Sequence, residues 1–166
     1  MIIIILVLHT GCIEVITPPP TGAGTSYFEA YYRNPNGVTL SFEVANKYYI
    51  LFFNDSSICK NFVLDEDKQN ITCNDSGVYQ IVVNAVGSGE NNHEYVLVIF
   101  INGVGNQISA TRRKMSAGGD IVTMNSHLLV NLSSSDKITV RIKDLGKTGD
   151  GVYYKSNINI VKVGDN

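Results

Sequence analysis

Three histidines, His9, His93 and His127, are the first candidates for acid–base chemistry or metal ligation, and they lie far apart in the chain with no partner at a useful spacing. The segment "LGKTGDG" holds Gly146-Lys147-Thr148, the tail of a phosphate-binding loop. Arg141 stands where that loop needs its first glycine, and no helix pattern follows, so the segment reads as a turn. "NGVGN", residues 102–106, offers the Asn-Gly of a tight hairpin turn rather than a dinucleotide fingerprint. Asp65, Glu66 and Asp67 could gather a calcium ion with help from carbonyls, but three acids at a hairpin tip are ordinarily just solvated. The sequence therefore predicts no catalytic residue, no metal site and no cofactor, and the expected class is non-enzymatic.

Cysteine and charge narrow the reading further. Cys59 and Cys73 flank "KNFVLDEDKQNIT", whose centre "DEDK" suits a turn between two extended runs. The two sulfurs would then face each other across a strand pair as a disulfide worth roughly 3 kcal/mol, or stand as two thiols in a reducing compartment. Thirteen Lys and Arg against fifteen Asp and Glu give a net charge of -2, which leaves no general excess for neutralising phosphates. Arg112-Arg113-Lys114, the basic cluster, reads as a solvated strand end or loop. Glycosylation sequons begin at Asn54, Asn70, Asn74 and Asn131 and hint at exposure outside a cell.

The elements that would carry these residues are strands. After Ser26 no stretch shows helical apolar spacing, while β-branched and aromatic runs recur between Gly, Asn, Asp and Ser clusters. Candidate strands are 27–33, 38–44, 47–53, 61–64, 78–86, 95–101, 107–113, 121–132 with a break, 137–143 and 152–163. About ten strands fit a two-sheet sandwich. In "KITVRIK", Ile138, Val140 and Ile142 alternate with Lys137, Thr139, Arg141 and Lys143, which predicts one dry and one wet side. "YVLVIFI", 95–101, is apolar throughout, so its second face needs cover from a loop, from the N-terminal arm or from another copy. Adjacent Tyr153 and Tyr154 point to opposite faces and make the same demand.

The first 26 residues read as an arm and linker ahead of a domain at 27–166. Ile2, Ile3, Ile4, Ile5, Leu6, Val7 and Leu8 form an apolar run far shorter than the roughly twenty residues that span a bilayer. It could be cleaved or lipidated near Cys12; retained, it is an assembly arm that docks on a neighbouring subunit. Pro18-Pro19-Pro20 followed by "TGAGTS" is a stiff segment and then a flexible one.

The order of features is informative: a Gly-x-Tyr strand in "SGVYQIVV", an apolar strand ending in Asn-Gly, "YVLVIFING", a polar "QISATRRK", then "SHLLVNLSSSDKITVRI" and a closing "SNINIVKV". Over about 27–163 this resembles the jelly-roll superfamily of tumour necrosis factor ligands and the complement globular head, with relatives among bacterial surface proteins and bacteriophage particles. The resemblance implies an all-β antiparallel jelly-roll sandwich and a homotrimer packed about a threefold axis. It places Tyr79, Tyr95, Leu97, Tyr153 and Tyr154 among core or subunit-contact candidates. The expected function is a structural and binding protein displayed on a virion surface, as capsid decoration or fibre head, and anchored by its arm to neighbouring structural subunits, with a host-surface ligand in prospect and no nucleic acid. The alternative is an extracellular or cell-surface filament subunit or adhesin built by strand addition of that arm.

Overall fold

The computed structural model describes residues 25–165, so the arm run Ile2–Leu8 lies outside the described residues. In chain order the strands are β1 (Tyr27–Phe42), β2 (Tyr49–Ile50), β3 (Asp55–Lys60), β4 (Phe62–Leu64), β5 (Ile71–Cys73), β6 (Gly77–Gly89), β7 (Glu94–Ile101), β8 (Val104–Gly105), β9 (Thr111–Lys114), β10 (Val122–Leu132), β11 (Lys137–Asp144) and β12 (Gly149–Gly164). Among the described residues one 3-10 turn occurs, at Gln107–Ser109. Five strands form one sheet in the order β10-β6-β12-β1-β3. Seven form the other, with β4-β5-β11-β7-β8 as its path, β2 added to β11 and β9 added to β7. All pairings are antiparallel.

Period-two alternation explains how the sheets face each other. Phe28, Ala30 and Tyr32 of β1, Tyr79, Ile81 and Val83 of β6, and Ile158 and Ile160 of β12 point inward from the five-stranded sheet. Leu97 and Ile99 of β7 with Ile138 and Val140 of β11 meet them from the seven-stranded sheet. Of the division of "KITVRIK" into a dry and a wet side, β11 shows the dry side, where Ile138 and Val140 are buried and Ile142 packs against the core; on the expected wet side Lys137 is exposed, Arg141 and Lys143 are half-buried and Thr139 is buried, because Phe100 and Tyr48 lie against that face.

Local chemistry sets the turns. Asn102 and Gly103 both take left-handed φ, 51° and 79°, between paired Ile101 and Val104, the geometry that a two-residue hairpin requires. Where the sequence reads two strands, 27–33 and 38–44, the chain forms one long β1 with a register shift between Arg33 and Val38. Asn34 starts that bulge by accepting the Asn36 amide at 3.0 Å, and Gly37 completes it at φ 71°. The expected strand 107–113 begins instead as a 3-10 turn, because the Asn106 side chain caps it at the Ile108 amide, 3.1 Å.

The expected Cys59–Cys73 disulfide is not formed. Cys73 is a free, buried thiol donating to the Asp75 carbonyl at 3.0 Å, and Cys59 is disulfide-bonded, but not to Cys73. The hairpin around the acidic turn joins β4 to β5, with Phe62 opposite Cys73. Cys59 belongs to β3, opposite Phe28 in the other sheet. The two cysteines flank the hairpin in sequence but sit in different layers of the sandwich.

Candidate assembly face

The chemistry-bearing side chains are taken up by structure. Asp67 accepts the Gln69 amide at 2.9 Å and the Asn70 side-chain amide at 2.7 Å, so the acidic tip stabilises its own turn. Among the described residues no group of His, Cys, Asp and Glu is arranged to hold a metal ion. Lys147, in the turn between β11 and β12, donates to the Asn92 carbonyl at 3.0 Å. His93 is buried, with Nδ1 2.5 Å from the fully buried Asp144 carboxylate and Nε2 3.3 Å from Glu90. It braces the β6–β7 hairpin against the end of β11. His127 is exposed on β10 and His9 lies outside the described residues.

The two outer faces of the sandwich differ sharply. On the seven-stranded sheet, Val96, Val98 and Phe100 are the outward side of "YVLVIFI", and Tyr48 and Leu145 of the same chain pack against them. Of the three covers the sequence left open, a loop is thus the one seen to contribute.

On the five-stranded sheet the outer side chains form rows across all five strands. One row runs Leu129, Gln80, Val161, Tyr27, Lys60, and the next runs His127, Val82, Asn159, Glu29, Ile58. A third runs Asn125, Asn84, Asn157, Tyr31, Asp55, where the Asn84 amide donates to Asn157 at 3.2 Å. Leu129 is 65% exposed, Ile58 43%, Tyr31 42% and Val161 41%, and nothing in the chain covers them among the described residues. Lys60, Asp55 and Glu29, the last accepting the Ser57 hydroxyl at 2.6 Å, lie toward the β3 side, and the following row sets exposed Lys155 of β12 opposite exposed Arg33 of β1. An apolar and amide-bearing patch flanked by charge has the anatomy of a protein–protein interface. Five strands about 4.8 Å apart and seven residues at about 3.4 Å span roughly 600 Å² before side-chain relief, close to the area a standard interface takes from each partner.

A polar cluster fixes one end of this face. Lys162 reaches Asp75 at 3.1 Å and Asp165 at 2.8 Å, while the buried Ser26 hydroxyl donates to Asp75 at 2.6 Å. The Ser26 hydroxyl and then the Lys162 ammonium hold the Asp75 carboxyl below its ordinary 3.8, and the two carboxylates raise Lys162 in turn. The entry of the chain into β1 is thereby tied to the end of β12.

Most of the residues named from sequence lie inside the sandwich. Tyr79, Tyr95, Leu97 and Tyr153 are all buried. Tyr79 meets Phe62 edge-on at 5.4 Å, Tyr95 leans on Phe42 at 5.3 Å, and Tyr153 stacks on Tyr32 at 4.5 Å. Tyr154 is half-buried near the Gly37 bulge, where a Cβ on Gly37 would come within 2.8 Å of its ring. The outward apolar residues that sequence reasoning missed are Leu129, Val161, Tyr31 and Ile58. The available signal was that β12 carries Val161 and Val163 on the face opposite Ile158 and Ile160, so the strand is apolar on both sides at its end.

Solved structures share this architecture. The globular domain of zebrafish complement 1qA protein aligns with TM-score 0.60 at 14% identity, over 85% of this chain and 99% of that one. Eiger TNF from S. frugiperda aligns with TM-score 0.57 at 14% identity, over 86% and 93%, and murine APRIL with 0.57 at 12%, over 84% and 100%. No family model matches the sequence, and no curated protein matches it. At these identities the likeness concerns fold, and on fold it is plain: the described chain is a two-sheet jelly roll of the kind found in tumour necrosis factor ligands and the C1q globular head.

Proposed function

We propose that this chain is a non-enzymatic structural and binding protein that assembles as a homotrimer through the outer face of its five-stranded sheet. The observation that supports the reading is the row of Leu129, Val161 and Tyr27, with Tyr31 and Ile58 beside it, which nothing among the described residues covers. Closed cyclic assembly leaves three copies of every loop at one end, so weak contacts to a surface ligand multiply. The setting we propose is display on a particle, a virion surface included, with residues 1–26 as the anchor. The proposed absence of catalysis is supported by the way His93, Asp144, Asp67 and Lys147 are each engaged in holding turns and strand ends.

Light scattering on the purified chain tests this. The expected mass is three times 18.2 kDa. Leu129→Arg with Val161→Arg puts cations into the centre of the face and should yield a monomer with an unchanged strand spectrum. A wild-type monomer, or a trimer indifferent to both substitutions, overturns the assembly reading. Removal of residues 1–20 should leave a trimer that no longer attaches to its particle.

A further inference from the structure

β10 closes one side of the five-stranded sheet, paired with β6 in unbroken register from Val122 to Leu132. On its other side the Thr111 hydroxyl donates to the Asn125 carbonyl at 2.5 Å, so the backbone of Asn125 is turned away from β6. Backbone groups of alternate strand residues point the same way, and His127, Leu129 and Asn131 therefore aim amide and carbonyl outward as well. The ladder agrees, since Lys162 of β12 donates its amide toward β1, and the register then turns Ser126, Leu128 and Val130 toward β6. The outward groups of His127, Leu129 and Asn131 have no partner among the described residues. Sheet edges are blunted by brevity, charge, proline or a bulge. β3 carries Asp55 and Lys60 and pairs with β1 across a register shift, β4 and β8 are three and two residues long, and β9 is Thr-Arg-Arg-Lys. β10 has eleven residues, no register shift, no proline and no Asp, Glu, Lys or Arg. Beside its far end Ile101, Val104, Gly105, Asn106, Gln107 and Val130 line a groove of about 360 Å³.

We propose that the edge of β10 from His127 to Leu132 accepts the apolar run Ile2–Leu8 of a neighbouring copy as an added strand. A strand laid there turns one set of side chains toward Ile101, Val104 and Val130, and sets the other beside Leu129, which is 65% exposed. It must therefore be apolar on both sides, and an amphipathic segment fits only one of them. Ile2 to Leu8 is aliphatic throughout, and five of its seven residues are β-branched, the type that strands favour. Seven extended residues span about 24 Å, against about 20 Å for the six of 127–132. The choice of donor rests on the assembly reading. The chain enters β1 at Ser26, and its own β10 lies beyond β1, β12 and β6, across the outer face that neighbouring copies are to occupy. The partner that the arm anchors to is then another copy of this chain, held by main-chain hydrogen bonds and by the groove.

Amide exchange on the full chain, read residue by residue by NMR, tests this. The outward amides of His127, Leu129 and Asn131 should exchange at least about tenfold more slowly in wild type than in Ile4→Asp/Leu6→Asp, while Leu128 and Val130, turned to β6, keep their rates. His127→Pro removes an outward donor and should abolish protection at Leu129 and Asn131, whereas His127→Thr keeps the donor and should not. Near-ultraviolet circular dichroism checks that the variants are folded, and the arm variant leaves residues 25–165 untouched. With p-benzoylphenylalanine in place of Ile4, in a mixture of isotope-labelled and unlabelled chains, cross-links should join position 4 of one label to peptide 127–132 of the other. Equal exchange in wild type and Ile4→Asp/Leu6→Asp, protection without the two-residue alternation, or cross-links confined to one label or to other peptides would each overturn the inference. Light scattering separates it from the assembly reading. A trimer with unprotected outward amides removes the strand site and leaves the assembly, and a monomer with arm-dependent protection puts the arm on its own copy and overturns both.

Discussion

Two buried tyrosines of the same type stand in opposite situations. The Tyr79 hydroxyl donates to the Asp75 carbonyl at 2.7 Å, whereas the Tyr95 hydroxyl is buried with no hydrogen-bond partner among the described residues. Burial pushes both phenols up to about 12, and at Tyr95 the Asp144 charge adds to it. A phenol whose value is raised from 10 contributes stability that is complete below about pH 10 and falls away as the pH climbs toward 12. Tyr79→Phe should cost about 1 kcal/mol at neutral pH, the ordinary net worth of one hydrogen bond. Tyr95→Phe should be neutral or stabilising and should hold its urea midpoint better than wild type at pH 11. Urea titrations of the three proteins at pH 7 and pH 11 check both. Gly89 follows from the same packing, because a Cβ there would sit 2.3 Å from the Tyr95 hydroxyl.

Between elements, the His93–Asp144 contact joins the β6–β7 hairpin to the end of β11, with one Asp144 oxygen on the imidazole and the other unpartnered among the described residues. A buried carboxylate that loses its partner is left uncompensated. His93→Leu should therefore destabilise by about 3–5 kcal/mol, and adding Asp144→Leu should recover part of the loss; additive losses in denaturation midpoints would refute the brace. The strand pattern was readable where alternation was clean, as in β11 with Ile138, Val140 and Ile142. It was silent for β3, whose "DSSICK" shows no apolar alternation because this edge strand takes its place from pairing with β1. The doubly apolar β7 pointed to a need for cover, but the Tyr48 that helps meet it comes from a turn about fifty residues away, a contact no local window contains.

For the whole molecule, the sandwich was foreseeable from the recurrence of strands and turns, and the resemblance of "SGVYQIVV" and "LLVNLSSSDKITV" pointed to the right fold. The division of its surface was not. An exposed Leu129 beside a buried Leu128 looks the same in sequence as two core leucines. That feature appears only when strands distant in the chain are laid side by side, which brings Leu129, Val161, Tyr31 and Ile58 onto one outer face.

Cys73 has a consequence of a different kind. Its thiol is fully buried, burial pushes its pKa upward, and it lies where β5, the Asp75 carbonyl and the end of β11 meet. A disulfide reagent must wait for that corner to open before a thiolate can attack it. The rate of labelling at Cys73, followed by peptide mass spectrometry, is then a clock for opening of the sandwich. It should slow as the protein concentration rises if neighbouring copies clamp the sheets shut, and keep one pace at every concentration if each copy opens alone.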